Sequence, residues 1–190
     1  MEITSSKRYC TSRQAPRPLD PTDARVLGQT GSVSAPTVSL RQVDEFVART
    51  IIDGVRASGG WAEDFPARGD IAAMRMSRFS PGPNEPWFGS YLILVDNVVS
   101  GTIGFKGGPV ANQVEIGYGV VPSRQGRGVA TSAISQLLAL ISGLSLDVRA
   151  ETDSSNAASQ SVLSHAGFQQ VGRRHDPDGG ELIMWARRVE

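Results

Sequence analysis

From Val114 to Val121 the apolar side chains fall on every second residue, Val114, Ile116, Tyr118 and Val120, with Glu115, Gly117, Gly119 and Val121 between them. A period of two belongs to a strand with one buried face. From Ala130 the spacing changes to three and four through Ala133, Ile134, Leu137, Leu138 and Ile141, the stripe of a helix packed on one side, with Gly143 placed to stop it. Pro122-Ser-Arg-Gln-Gly-Arg-Gly128 joins the two, so the pattern predicts a strand, a glycine-rich turn and a helix in immediate succession. Leu144 to Glu151 alternates again. A strand, a helix and a strand in this order predict a right-handed crossover with the two strands parallel.

The flanking elements follow the same logic. Tyr91 to Val95 and Val98 to Phe105 surround Asp96-Asn97, a hairpin signal. Asn156 to Ala166 predicts a helix with Gly167 as its C-terminal cap, followed by strands at Phe168 to Arg173 and Glu181 to Arg187. Nearer the N-terminus, Val43, Phe46, Val47, Ile51 and Val55 predict a helix from Ser39 with one buried face, capped by Ser39 or Asp44. Asp70 to Phe79 is a shorter helix that ends before Ser-Pro-Gly-Pro. Residues 1 to about 36 are rich in Ser, Thr, Pro and Arg, and Pro16, Pro18 and Pro21 prevent a long helix. The expected organisation is therefore an irregular N-terminal segment or first strand over residues 1–36 and one domain over 37–190, with no internal repeat.

Charge narrows the partners. Lys and Arg number 19 and so do Asp and Glu, with no long basic run, so nothing favours a nucleic acid or an anionic membrane. The only cysteine, Cys10, excludes an internal disulfide framework and a cysteine-built metal site, and agrees with a reducing cytoplasm. No basic-then-apolar leader is present and the apolar runs are too short to span a bilayer, so a cytoplasmic protein is expected.

The glycine turn carries the chemistry. Amides of such a turn and of a helix's first turn lack intrahelical partners, and the helix dipole adds partial positive charge, so phosphate groups bind there. It is no nucleoside triphosphate loop, because Gly128 is not followed by Lys and Ser or Thr. Nor is it a dinucleotide fingerprint, since counting from Gly126 the third small residue falls on Thr131. What fits is Gln or Arg, two residues, Gly, one residue, Gly or Ala, present as Gln125-Gly-Arg-Gly128-Val-Ala130. This resembles the acetyl-coenzyme A loop of the GNAT N-acetyltransferases. Downstream, Asn156-Ala-Ala-Ser159-Gln-Ser-Val-Leu163-Ser-His-Ala-Gly167-Phe168 is similar to that family's helix and closing strand in its RimJ/RimL-type branch.

The resemblance implies an α/β fold: a mixed, mostly antiparallel sheet of about six or seven strands flanked by helices and split between the fourth and fifth. It implies acetyl-CoA as co-substrate and no metal. The loop Gln125, Gly126, Arg127, Gly128, Val129, Ala130 and Thr131 would hold the pyrophosphate, with Arg124 adding charge. Backbone at Val120 and Val121 would pair with the pantetheine arm, the amide near Val120 would polarise the thioester carbonyl, and Asn156 and Ser159 would contact the coenzyme. The implied activity is acetyl transfer to a primary amine, a protein N-terminus or a small molecule, by direct attack in a ternary complex, in a chain that pairs as a homodimer in many relatives. Such an acceptor ammonium, with a pKa near ~10, needs a base. Glu115 and Glu151 are the candidates by offset, although each also fits a cross-strand ion pair. Leu163 stands where many members carry a tyrosine acid. That departure motivates the alternative, a non-catalytic acyl-CoA-binding sensor on the same fold. Trp61, Trp87, Trp185 and Tyr118 read as packing residues.

Overall fold

The structure, a computed structural model, describes residues 35–55, 59–76, 88–177 and 179–190. Nearly all of the segment expected to be irregular, together with Cys10, Phe79 and Trp87, lies outside the described residues.

Seven strands form one sheet in the order β1-β2-β3-β4-β5-β7-β6. They are β1 Val38–Gln42, β2 Ser90–Val95, β3 Val98–Phe105, β4 Gln113–Val120, β5 Leu146–Asp153, β6 Gln169–His175 and β7 Glu181–Val189. The helices are α1 Glu45–Ile52, α2 Arg68–Met76, α3 Val129–Leu140 and α4 Ala157–His165. Only β4 and β5 run parallel, and their register covers just Gln113–Asp147, Val114–Val148 and Glu115–Arg149 before it stops. The expected mixed sheet with its opening between the fourth and fifth strands is therefore present, and the hairpin closes where expected. Asp96 and Asn97 take φ of 50° and 65°, the left-handed pair that matches the twist of the strands they join.

Alternation along the strands divides the core in two. Tyr91, Ile93, Val95, Ile103, Phe105, Val114, Ile116, Val148, Ala150, Ile183 and Trp185 face α3 and α4, where Ala133, Ile134, Leu137, Ile141 and Leu163 are fully buried. The opposite face packs Leu92, Leu94 and Val99 against Ala48, Ile51, Phe65 and Met74 from α1, α2 and the segment between them. Trp61 stacks edge-on against Phe65, and Trp185 donates from Nε1 to Thr152 at 3.0 Å, so both are packing residues. At Gly101 the backbones of β3 and β4 touch: an added Cβ would lie 2.1 Å from the Gly119 carbonyl oxygen.

Three expectations need correction near the N-terminal side. Ser39 is no cap; it sits in β1 opposite Leu94, because Val38 and Leu40 alternate and extend the sheet. The helix starts only after Asp44, whose carboxylate accepts the Val47 N–H at 2.8 Å. Starting late, it turns a narrower face inward and leaves Phe46 80% exposed, while Val55, beyond the C-cap Asp53, is 56% exposed instead of buried. Strand β5 also begins two residues later than the alternation suggested, since Ser145 takes a φ of 51° and Leu144 stays exposed.

Leu137→Ala is expected to cost about 2–5 kcal/mol in denaturant unfolding, because it opens a cavity in the α3 interface. Phe46→Ala, on an exposed position, is expected to stay within about 0.5 kcal/mol of wild type.

Candidate active site

The opening between β4 and β5 leaves one edge of β4 without a strand. Glu115 accepts from Lys106 N–H and Val121 donates to the Ser100 carbonyl, both toward β3. Alternation therefore turns the backbone groups of Ile116, Tyr118 and Val120 to the side that β5 has left. Of these, the Val120 carbonyl is held by Gln125 Nε2 at 2.7 Å. Tyr118 stands in the gap with its hydroxyl donating to the Ser159 carbonyl at 3.2 Å, and burial raises its pKa above the usual phenol value.

Beyond Val120 the chain makes a short 3₁₀ turn at Pro122–Arg124 and enters α3 through the glycines. Gly126 and Gly128 both have φ of 73°, a conformation open to glycine, and an added Cβ at either would meet no protein atom. The first bond into the helix is Ser132 N–H to the Gly128 carbonyl. Among the described residues, the amides of Gly126 to Thr131 donate to no protein acceptor. They surround a cavity of about 560 Å³, lined on this side by Val120, Gln125, Gly126, Gly128, Val129, Ala130 and Thr131 and on the other by Asn156, Ser159 and their helix. Asp64 anchors the turn by accepting from Ser123 N–H at 2.9 Å and from its hydroxyl at 2.8 Å, and the backbone bond leads in lowering the Asp64 pKa.

Most of the residues expected to hold the donor thus share one cavity. Arg127 is exposed and does not line it. Val121 is buried, donates to Ser100 and accepts from Arg124 N–H, so no backbone group of it is left to pair with a ligand, and the expected pairing narrows to Val120. Asn156 caps α4 by accepting the Ser159 N–H at 3.0 Å while also lining the cavity.

A second cavity of about 360 Å³ lies on the α2 face of the sheet, between Ala73, Met74 and Met76 and the strand residues Thr102, Gly104, Gly117 and Gly119. Tyr118 and Gly119 line both cavities, so the two meet there. Cross-strand pairs order this floor: Thr102 opposite Gly119, Gly104 opposite Gly117, and Lys106 beside Glu115 at the far end. Behind Thr102 stands Asp70, 3% exposed, whose Oδ1 accepts the Thr102 hydroxyl at 2.7 Å and whose Oδ2 accepts the Ala67 N–H at 2.9 Å. Burial pushes its pKa above the ordinary aspartate value, against the lowering effect of these hydrogen bonds. Sequence reading gave Asp70 and Thr102 no role, and no local signal marks them: their proximity exists only once α2 is laid on β3.

Both candidate bases are ion-paired. Glu115 pairs with Lys106 across the strands and lines neither cavity. Glu151 lines a smaller recess of about 200 Å³, where Arg174 grips it through two bonds of 2.7 and 2.6 Å and thereby lowers its pKa. No group of acidic, histidine and cysteine side chains among the described residues is arranged to hold a metal ion.

The family model described as Acetyltransferase (GNAT) domain matches residues 17–169. The chain belongs to the GNAT acetyltransferase family. It is an acyltransferase of that class, and no match favours a non-catalytic role for this GNAT fold. Among solved structures, a ribosomal alpha-N-protein acetyltransferase, RimL, in complex with coenzyme A is 19% identical with a TM-score of 0.58, covering 80% of this chain and 94% of that one. RimJ from Mycobacterium smegmatis in complex with CoA-disulfide is 22% identical with a TM-score of 0.54, over 81% and 83%. An aminoglycoside acetyltransferase in complex with coenzyme A is 17% identical with a TM-score of 0.57, over 80% and 95%. At these identities the likeness is one of GNAT fold. No curated protein matches the chain. No helix among the described residues is long and apolar enough to cross a membrane.

Because burial raises the Asp70 pKa, the folded state binds that proton more tightly than the unfolded chain. The contribution of Asp70 to stability is then fully present below the ordinary value of 3.8 and lost as pH rises through the raised value. Unfolding measured against pH should show wild type gaining on Asp70→Asn as pH falls through that window; a constant difference would refute the burial account.

Proposed function

We propose that the chain moves the acetyl group of acetyl-CoA to a primary amine, on a protein N-terminus or a small molecule, with both substrates bound at once. The observation that carries this reading is the junction of the two cavities at Tyr118 and Gly119. A donor held on one side of β4 and an acceptor on the other meet at that strand, and such positioning supplies much of the advantage of a direct transfer. The acetylated partners named for the structural relatives, a ribosomal protein and an aminoglycoside, are both consistent with an amine acceptor.

The residues present fit the coenzyme. Unpartnered amides at the start of α3, two glycines with no side chain to obstruct them, and Arg124 at the rim form an anion cradle for the pyrophosphate. When bound, acetyl-CoA supplies an activated acyl thioester. The Val120 N–H faces the opening and is placed to donate to the thioester carbonyl, where charge develops. Leu163 is fully buried in the core and supplies no proton, whereas the Ser159 and Ser161 hydroxyls line the donor cavity. Glu115 and Glu151 hold ion pairs rather than open positions, and Glu151, kept below its usual range by Arg174, is a weak proton acceptor.

The reading is tested by following thiol release from acetyl-CoA with a panel of primary amines; if none accelerates it, acetyl transfer fails as the activity. Gly128→Asp places a carboxylate in the cradle at a left-handed position that Asp tolerates, and is expected to abolish coenzyme binding in a calorimetric titration while the far-ultraviolet spectrum stays native. Unchanged affinity would remove the cradle assignment. Glu115→Gln and Glu151→Gln are each expected to lose less than ~10-fold in kcat/KM, short of the ~10²-fold typical of a lost base.

A further inference from the structure

A proton acceptor for the substrate ammonium is required by acetyl transfer to an amine; Glu115 lines neither cavity, and Glu151, whose recess adjoins both at Tyr118, is held in place by Arg174. We propose that the Thr102 hydroxyl, held by the Asp70 carboxylate, receives the acceptor's ammonium where the two cavities meet and relays its proton to Asp70. This rests on the acetyl-transfer reading above and names the groups that serve it.

The geometry supplies four supports. Thr102 lines the acceptor cavity and is the register partner of Gly119, which lines both cavities. The Thr102 hydroxyl spends its single proton on Asp70 Oδ1 at 2.7 Å, so toward any other partner it presents lone pairs and acts as an acceptor. No side chain intervenes at Gly119, where an added Cβ would come within 3.7 Å of Asp70 Oδ1. Finally, capping α2 explains only one of the two Asp70 oxygens, since the Ala67 N–H uses Oδ2. An asparagine would satisfy both bonds without burying a charge, so a buried carboxylate here is more than a cap requires.

The charged groups around the pair leave it electrically alone. On its own helix Arg68 and Arg75 are exposed. On β3 and β4 the only charged side chains of that face are Lys106 and Glu115, which are committed to each other at the other end of the floor. Burial raises the Asp70 pKa while the bonds from Thr102 and Ala67 lower it. An incoming ammonium would be its first cation. In the step proposed, an N–H bond of the ammonium breaks and its proton passes to Thr102 Oγ1, while the Thr102 hydroxyl proton moves to Asp70 Oδ1. The products are a neutral amine, an intact threonine and a neutral carboxylic acid. Burial favours that neutral acid over the carboxylate, which makes the transfer less uphill than it would be to an exposed aspartate. Asp70 and Thr102 thus divide the work: the threonine touches the acceptor, and the aspartate is the positioning residue and proton store behind it.

The test uses the full chain with acetyl-CoA and the best amine of the panel, and compares pH profiles of kcat/KM. In Asp70→Asn the amide retains the shape, accepting from Ala67 and donating to Thr102. A loss of ~10²-fold near neutral pH is expected, shrinking as pH approaches the pKa of the amine, where the substrate is already neutral. Thr102→Val should show the same pattern, Thr102→Ser should keep most of the activity, and coenzyme affinity should be unchanged in all three. Should Asp70→Asn fail to fold, the Thr102 pair carries the comparison alone, because valine and serine bracket threonine in shape and hydroxyl. Profiles that overlay wild type, a loss uniform in pH, or Thr102→Ser falling as low as Thr102→Val would overturn the relay while leaving acetyl transfer standing. Wild type turning over no amine would sink both.

Discussion

Everything at the candidate site follows from a parallel pairing that stops early. Strands β4 and β5 share only three register pairs, ending at Glu115 and Arg149, after which each stays bonded to its other neighbour, β4 to β3 and β5 to β7. Each half of the sheet remains internally satisfied, so the break does not orphan a whole strand. What it exposes is one edge of β4 from Ile116 to Val120, with backbone groups directed into a gap. Beside the gap the Tyr118 hydroxyl hydrogen-bonds the first turn of α4. A ligand able to offer amide groups of its own finds there a ready strand edge.

The two faces of β4 then take different tasks. Toward α3 and α4 the strand presents Val114 and Ile116 to the core. Toward α2 it presents Glu115, Gly117 and Gly119, a row in which the absent side chains make the cavity and the charged one is neutralised at its end by Lys106. Gly101 serves the same strand from behind, letting the β3 backbone press against the Gly119 carbonyl. The floor of the cleft is thus shaped by backbone contact between β3 and β4.

The strand, glycine turn, helix and strand from Gln113 to Asp153 were legible because each announces itself within a few residues: a period of two, unusual φ at Gly126 and Gly128, then a period near 3.6. The hairpin at Asp96-Asn97 and the cap at Asn156 were legible for the same local reason. Strand β1 was not, because five residues of alternation ran straight into the helical spacing of Val43, Val47 and Ile51, and one continuous helix fitted both. The glycine turn and its unpartnered amides were legible locally, whereas the engagement of the Val121 backbone with Ser100 and Arg124 was not, because the first of these bonds depends on where β3 lies. Ion pairs of Glu115 and Glu151 were an open alternative in the sequence, but the partners could not be named, since Lys106 and Arg174 are brought beside them only by the sheet. Asp70 and Thr102 are 32 positions apart and meet only through packing.

The clasp between Asp64 and Ser123 ties two regions that have no continuity in the chain. Ser123 belongs to the turn that delivers the glycines to the mouth of α3, and Asp64 belongs to the stretch that delivers α2. The mouth of the larger cavity and the α2 wall of the smaller one therefore hang from one strut. A disturbance that loosens this turn, whether heat, denaturant or a substitution at either residue, is transmitted to the placement of α2, so the spacing between the two cavities is set partly by a bond that lies in neither of them.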